Sequence, residues 1–146
     1  HWHVTALDVS QEALQVARSN AVRTRLTSVH FVQSNWYQGV RGQRFHALLG
    51  NPPYIDEDDP HLALGDVRFE PRSALVSSDC GLQDLRRLVA GASDQLLDGG
   101  WLLLEHGCEQ ANAVRVMLHD AGFSQVSTRR DMSGQPRITG GCWHVD

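Results

Sequence analysis

The segment Asn51-Pro52-Pro53-Tyr54 constrains the fold of this chain more than any other, because it joins two consecutive prolines to a short apolar run. That run, Phe45–Gly50, is bounded by turn-forming residues and is predicted to be a buried strand. The prolines have no backbone N–H to donate, and a residue that precedes a proline is pushed towards extended geometry. The sequence therefore predicts a stiff corner at the carboxyl end of a strand.

The chemistry of this corner suits the binding of a planar NH2 group. The Asn51 side-chain oxygen and the Pro52 carbonyl can each accept one N–H, and the Tyr54 ring can lie over the plane of the group. An amide or aniline nitrogen is a poor nucleophile, so two fixed acceptors favour the positive charge that develops on it. The pattern resembles the signature of methyltransferases that use S-adenosylmethionine to methylate planar nitrogens. The alternative is a proline-rich turn whose tyrosine packs on the surface.

The composition restricts the class of protein further. With 146 residues and 41% hydrophobic content, the chain can form one globular domain with a hydrophobic core. It has no run of 18 apolar residues, so no membrane span is predicted. The net charge of −4 argues against a general phosphate-binding surface. The chain begins at His1 rather than Met, and we expect it to be a piece of a longer protein.

The three cysteines, Cys80, Cys108 and Cys142, are far apart and lack CxxC or Cys/His ligand spacing. We therefore expect reduced thiols in a cytoplasmic protein and no metal site.

Strands and helices alternate along most of the chain, which indicates a parallel α/β sheet. Ser10 is predicted to cap the first helix, and the last two strands follow one another without a helix, which favours an antiparallel edge. The elements are predicted from apolar periodicity and from glycine and proline punctuation. Strands are predicted over 3–7, 29–32, 45–50, 101–104, 124–130 and 138–145, helices over 11–23, 82–97 and 110–121, a surface loop over 38–43 and an irregular segment over 55–79.

Polar or aromatic residues follow three of the predicted strands directly. Right-handed crossovers would place the carboxyl ends of these strands on one rim, where ligands bind in open α/β sheets. Asp8 can accept both hydroxyls of a ribose, or it can be a helix-start carboxylate. Trp36 can stack on adenine or pack as an ordinary tryptophan, and Asn35 can bind the adenine edge or make a turn.

Two further groups of charged residues follow predicted strands. The acidic residues 56–59 are predicted to form a solvated loop, whose carboxylates should repel a nucleic-acid backbone. Glu105 and His106 are weaker candidates for lining the pocket.

These residues together resemble the catalytic domain of bacterial release factor glutamine methyltransferases, the HemK/PrmC family. The Asn-Pro-Pro-Tyr segment alone is shared with DNA adenine methyltransferases, whereas 65–71 together with Glu105-His106-Gly107 is more specific. The family commonly has Asp where this chain has Asn35, and its glycine-rich cofactor loop has no counterpart, since no G-x-G is present. The matching segments are 8–10, 34–37, 51–56, 59–62, 65–71 and 103–107.

The resemblance implies a Rossmann-like, seven-stranded α/β methyltransferase fold. Residues 1–146 would be a partial catalytic domain without the first, central strand and the amino-terminal helical domain, and with an antiparallel strand pair at the carboxyl-terminal end. The implied activity is N5-methylation, with S-adenosylmethionine, of the glutamine in the Gly-Gly-Gln motif of peptide-chain release factors. The implied cofactor-binding residues are Asp8, Asn35, Trp36 and Asn51; the implied substrate-binding residues are Asn51, Pro52, Pro53 and Tyr54; and the implied catalytic residues are Asn51, Pro52 and Tyr54.

We expect release factors as the protein partner, with neither direct nucleic-acid binding nor a membrane. Residues 1–146 alone are expected to be inactive, because nothing in them would cradle the methionine end of the cofactor and two buried ladder edges would stay open. The alternatives are a methyltransferase of adenine N6 or guanine N2 in nucleic acids, and an inactive methyltransferase-like binding module.

Overall fold

The structure is a computed structural model that describes residues 2–63 and 65–145, and it divides into two compact units, residues 1–43 and 44–146. The first unit contains β1 (Val4–Asp8), α1 (Gln11–Arg23), β2 (Val29–Gln33) and a 3-10 turn at Trp36–Val40. The second contains β3 (Phe45–Gly50), α2 (Arg72–Leu75), α3 (Ser78–Gly81), α4 (Gln83–Ala92), β4 (Leu96–Glu105), α5 (Ala111–Asp120), β5 (Ser124–Arg130) and β6 (Pro136–Cys142), with 3-10 turns at Pro60–Ala63, Val67–Phe69 and Ser93–Gln95.

In the first unit β1 and β2 pair in parallel, with Asp8 opposite Gln33 at their carboxyl ends. The predicted cap of α1 is confirmed: the Ser10 hydroxyl accepts a 3.1 Å hydrogen bond from the Ala13 N–H. The predicted surface loop over 38–43 is wrong in part. Its first half belongs to the 3-10 turn, and Val40 is buried, because one valine among polar residues gives no periodicity from which burial could be read.

In the second unit the sheet order is β3-β4-β6-β5. β3 and β4 are parallel, whereas β6 runs antiparallel to both β4 and β5, so the predicted antiparallel pair is confirmed. Helices α4 and α5 contribute most of the buried apolar side chains outside the sheet, including Leu85, Leu88, Val89, Ala92, Val114 and Leu118.

The parallel strands are incompletely paired within the described residues. There β1 has only β2 as a ladder partner and β3 has only β4, so each has one edge without a neighbouring strand. The described residues contain six strands, and the seven-stranded sheet remains a prediction.

The helix predicted over 82–97 is shorter than expected. It ends at Ala92, and Leu96 is already in β4, opposite Phe45. Leu96 is buried and continues the apolar spacing of the helix, so the sequence pattern could not separate the two elements. Gly99 and Gly100 lie inside β4, where the register shifts before Trp101 pairs with Ala47, rather than at the end of a helix.

Candidate active site

The corner directly follows β3, which ends at Gly50 as the sequence predicts. Gly50 lies opposite Leu104 of β4, and a Cβ added to it would be 2.9 Å from Leu104 Cδ2 and 3.1 Å from Leu88 Cδ1. The strand therefore packs closely just before the chain turns. Pro52 is buried, whereas Asn51 is exposed and its amide makes no hydrogen bond within the described residues. The arrangement leaves the Asn51 side chain available to a ligand.

Tyr54 is held by the end of the neighbouring strand. Its hydroxyl donates a 3.2 Å hydrogen bond to Glu105 Oε1, the last residue of β4. Burial raises the pKa of the Tyr54 hydroxyl, and the negative charge of Glu105 raises it further. The phenol therefore stays neutral at physiological pH and acts as a hydrogen-bond donor. Glu105, which the sequence marks only as a weaker candidate, thus belongs to the site.

Arg137 on β6 supplies positive charge to the same region and was not identified from the sequence. Its guanidinium donates to Asp131 Oδ2 at 3.3 Å and to the His106 carbonyl at 3.2 Å, and its charge partly opposes the rise in the Tyr54 pKa. The Gln135 backbone N–H, followed by the Arg137 side chain, lowers the pKa of the Asp131 carboxyl. A single arginine in an antiparallel strand carries no sequence signal for this role.

His106 has a structural rather than a catalytic position. Its side chain is fully buried, with Nδ1 2.8 Å from the Gly107 carbonyl and Nε2 2.7 Å from Thr139 Oγ1. The carbonyl can only accept, so Nδ1 carries the proton and Nε2 accepts from the Thr139 hydroxyl. Burial lowers the pKa of His106, which keeps the ring neutral.

In the first unit, Asp8 makes the helix-start contact that is one of the two alternatives suggested by the sequence. Its Oδ1 accepts a 2.8 Å hydrogen bond from the Ser10 N–H at the start of α1. The residue is exposed, and Oδ2 makes no hydrogen bond within the described residues. The helix-start contact therefore leaves one carboxylate oxygen for a ligand.

Trp36 has an unusual backbone conformation for a bulky residue, with φ of 53°. The buried Ser34 side chain holds it there: its hydroxyl donates to the Trp36 carbonyl at 2.6 Å and accepts from the Gly39 N–H at 2.8 Å. Strained backbone of this kind is found where surrounding contacts over-determine it, often at functional sites. The Ser34 N–H also donates to the Asp8 carbonyl at 2.9 Å, which ties the ends of β1 and β2 together.

The acidic loop over 56–59 is consistent with the prediction of a solvated segment. Glu57 and Asp58 are exposed, and Asp56 Oδ1 accepts from the Asp58 N–H at 3.0 Å. Two exposed carboxylates, those of Glu57 and Asp58, therefore lie within five residues of the corner in sequence.

The structure groups the predicted site residues by unit. In the first unit Asp8 ends β1, and Asn35 and Trp36 follow the end of β2. The two strands end in register, so these residues lie at the same edge of the pair. In the second unit the structure brings Asn51–Tyr54 to Glu105. Gln110, at the start of α5, donates to the Tyr54 carbonyl and was not identified from the sequence.

Comparison with known proteins defines the class. The methyltransferase small domain family matches residues 1–71. Among solved structures, a methyltransferase from Pyrococcus furiosus superposes with a TM-score of 0.71 at 21% identity, over 97% of this chain and 62% of that one. A protein-(glutamine-N5) methyltransferase from Alicyclobacillus acidocaldarius gives 0.52 at 22% identity, over 97% and 80%. The fold is that of a Rossmann-like α/β methyltransferase domain.

The sequence relatives carry more specific names than the solved structures. A release factor glutamine methyltransferase from Pseudomonas aeruginosa is 51% identical over 97% of this chain and 51% of its own length, and one from Escherichia coli is 42% identical over 97% and 51%. Over nearly its whole length the chain is similar to these curated release factor glutamine methyltransferases. It spans about half the length of these curated relatives.

Within residues 2–63 and 65–145, no helix is long and apolar enough to cross a membrane. Nor does the described part of the chain hold a cluster of three or more His, Cys, Asp or Glu side chains that could bind a metal ion.

Proposed function

We propose that this chain provides the glutamine-binding corner and the adenosine-binding residues of a protein-glutamine N5-methyltransferase. Its substrate is the glutamine of the Gly-Gly-Gln motif in peptide-chain release factors, and its methyl donor is S-adenosylmethionine. The observation that carries the proposal is the corner after β3, where the Asn51 amide is exposed and Glu105 holds the Tyr54 hydroxyl. Curated relatives up to 51% identical, named release factor glutamine methyltransferases, support the choice of substrate.

The residues of the first unit fit the adenosine part of the donor. The Asp8 oxygen that is not bonded to Ser10 can accept ribose hydroxyls, and the half-buried Trp36 ring presents an apolar face for adenine. The Asn35 side chain is exposed and can accept a hydrogen bond from the adenine amino group. When bound, S-adenosylmethionine supplies an electrophilic methyl group on its sulfonium.

In the second unit the chain's own residues bind and orient the substrate amide. Asn51 Oδ1 and the Pro52 carbonyl accept its two N–H groups, and Tyr54 packs against its plane. Pro52 and Pro53 contribute no N–H, so the backbone of these two residues offers the substrate acceptors only. These acceptors favour the charge that develops on nitrogen, an effect of roughly 3 kcal/mol by analogy with one oxyanion-hole donor. The methylated amide is acidic until it loses a proton, so water suffices as the acceptor.

The charge around the corner supports a protein substrate over a nucleic acid. Exposed carboxylates over 57–58 lie close in sequence to the corner and would repel a phosphate backbone. A protein segment carries no such repeated negative charge, so it can approach the same surface.

The test is transfer of labelled methyl groups by the protein as its gene encodes it. Folded release factor, the same factor with Asn in place of the Gly-Gly-Gln glutamine, duplex DNA, RNA and free glutamine are compared at equal concentration. We expect labelling of the unaltered release factor alone. Faster labelling of adenine in DNA would instead assign the nucleic-acid alternative. The same assay on residues 1–146 tests whether this chain alone is inactive, as expected.

A further inference from the structure

Gln110 connects three segments of the second unit through its side-chain amide. Its Oε1 accepts from the Gly107 N–H at 2.9 Å, and its Nε2 donates to the Tyr54 carbonyl at 3.0 Å and to the Cys80 carbonyl at 3.1 Å. Both N–H groups of the amide are therefore used, each on a different backbone carbonyl. Tyr54 lies 56 residues away in sequence and Cys80 lies 30 residues away, so the contact is wholly tertiary.

The Tyr54 carbonyl lies where the corner ends and backbone hydrogen bonding to other segments resumes. The next residue, Ile55, donates its N–H to the Leu75 carbonyl at 2.9 Å and accepts from the Ser77 N–H at 3.0 Å. At the other end, Gly50 is paired with β4. Between these anchors the two prolines contribute no N–H donors. The position of the corner therefore depends on how its two ends are held, and Gln110 holds one of them.

The turn that carries Cys80 is shaped around this contact. Asp79 and Cys80 have φ of 57° and 54°, in the left-handed region that few residues other than glycine adopt. Gly81 follows with φ of 77°, and a Cβ there would lie 2.1 Å from the Tyr54 carbonyl oxygen and 2.7 Å from Gln110 Nε2. The left-handed turn thus presses directly against the Tyr54 carbonyl and the Gln110 amide.

We infer that Gln110 is a positioning residue for methyl transfer, acting through the backbone of Tyr54 rather than by touching the substrate. The inference rests on the proposed function, since it assigns Gln110 to the same corner. Loss of its two donors releases the Tyr54 carbonyl and the Cys80 turn, and the acceptors of the corner are then no longer aligned with the amide. A shift of about 1 Å in such a site costs on the order of a hundredfold in rate.

Gln110→Glu tests the two donated hydrogen bonds most directly. It keeps the side-chain shape and the acceptor for the Gly107 N–H but replaces the donating NH2 by oxygen. As a carboxylate it faces two carbonyl oxygens, and we expect kcat to fall at least tenfold at pH 8 with the KM for S-adenosylmethionine unchanged within twofold. Protonation restores one donor, so the deficit relative to the parent should shrink as pH falls from 8 to 5.5. Gln110→Ala should show a deficit that does not change with pH.

Gln15→Glu is the matched control, since Gln15 is an exposed residue of α1, and its kcat should stay within twofold of the parent. A Gln110→Glu variant within threefold of the parent at pH 8, or a deficit equal to that of Gln110→Ala at every pH, would overturn the inference. So would a rise in the KM for S-adenosylmethionine that accounts for the whole loss.

Amide hydrogen exchange separates this inference from the proposed function. In Gln110→Ala the Ile55 and Ser77 amides should exchange at least tenfold faster than in the parent, whereas the α1 amides should not change. If the parent does not methylate release factors, the proposed function fails and the exchange rates alone decide the role of Gln110. Unchanged exchange at Ile55 and Ser77 would rule that role out.

Discussion

The Tyr54 hydroxyl donates a 3.2 Å hydrogen bond to Glu105 Oε1, and this bond joins the carboxyl ends of two adjacent parallel strands. It fixes the ring of the residue that is proposed to cover the substrate amide. The carboxylate is thereby engaged as an acceptor and serves to orient Tyr54. Glu105 is thus a positioning residue, and it need not act as a base.

This bond predicts energetic coupling between the two residues. Tyr54→Phe and Glu105→Ala each remove it, so the double variant should lose less free energy of unfolding than the sum of the single losses. The expected coupling is about 1.5–3 kcal/mol, as for a hydrogen bond to a charged group. Urea denaturation of the four proteins measures it, and strictly additive losses would show that the bond contributes nothing.

Asn51→Ala should remove most turnover with little effect on donor binding. Because Asn51 is proposed to polarise the target nitrogen, the loss should approach the roughly 3 kcal/mol of one preorganised hydrogen bond, about a hundredfold in rate. Single-turnover methylation of a release factor measures it, with Asn20→Ala on the surface of α1 as control. A rate within threefold of the parent would contradict the assignment of Asn51.

Ser34→Ala should weaken binding of S-adenosylmethionine while leaving kcat at saturation within twofold. The Ser34 hydroxyl holds the left-handed backbone of Trp36, so its removal lets the ring leave its position. We expect about a tenfold rise in Kd by titration calorimetry, equivalent to about 1.4 kcal/mol. Ser19→Ala, which removes only a hydroxyl bonded within α1, is the control. An unchanged Kd would separate Trp36 from the donor site.

Gly81→Ala should be much more destabilising than Gly134→Ala, although both glycines have φ near 78°. The left-handed conformation costs each alanine about 1–2 kcal/mol. At Gly134 an added Cβ meets nothing within 4 Å, whereas at Gly81 it meets the Tyr54 carbonyl at 2.1 Å. The free energy of unfolding from denaturant titration should therefore fall by about 1 kcal/mol or more further in Gly81→Ala than in Gly134→Ala. Equal losses would show that the turn moves away freely.

His106 should make stability dependent on pH below about 6.5. Burial is the main cause that lowers the pKa of His106 in the folded protein, and the Arg137 charge also lowers it. The Gly107 carbonyl and Glu105 raise this pKa but do not cancel the effect. The unfolded chain therefore binds the proton at a higher pH than the folded chain does. Its contribution is present above pH 6.5 and is lost as pH falls, by at most about 1.4 kcal/mol per pH unit. His106→Gln should flatten the unfolding free energy between pH 5 and 7, whereas the exposed His119→Gln should not.

The corner after β3 could be placed from the sequence because its backbone depends on neighbouring residues only. Two prolines after an apolar run force an extended, donor-free segment whatever surrounds it, and Ser10 caps α1 through its own neighbours. Helix α1 and strand β3 accordingly have their predicted bounds. The helix predicted over 82–97 ends earlier, at Ala92. The sequence could not show this, because Leu96 keeps the apolar spacing of the helix while its backbone pairs with Phe45.

The sequence by itself determined the position of the Asn51–Tyr54 corner and the order of the strands and the three longer helices, since each depends on residues a few positions apart. It did not indicate the short helices α2 and α3, which overlap the segment predicted to be irregular. Only the tertiary structure decided which polar residues serve the corner. Glu105 and Gln110 reach Tyr54 across 51 and 56 residues, and His106, adjacent to Glu105, is buried against Thr139 instead. His106 directly follows β4, and its backbone N–H still donates to the Arg137 carbonyl of β6 at 3.0 Å. Successive side chains of extended backbone point to opposite faces, and only the packing of the sheet decides which face meets the corner.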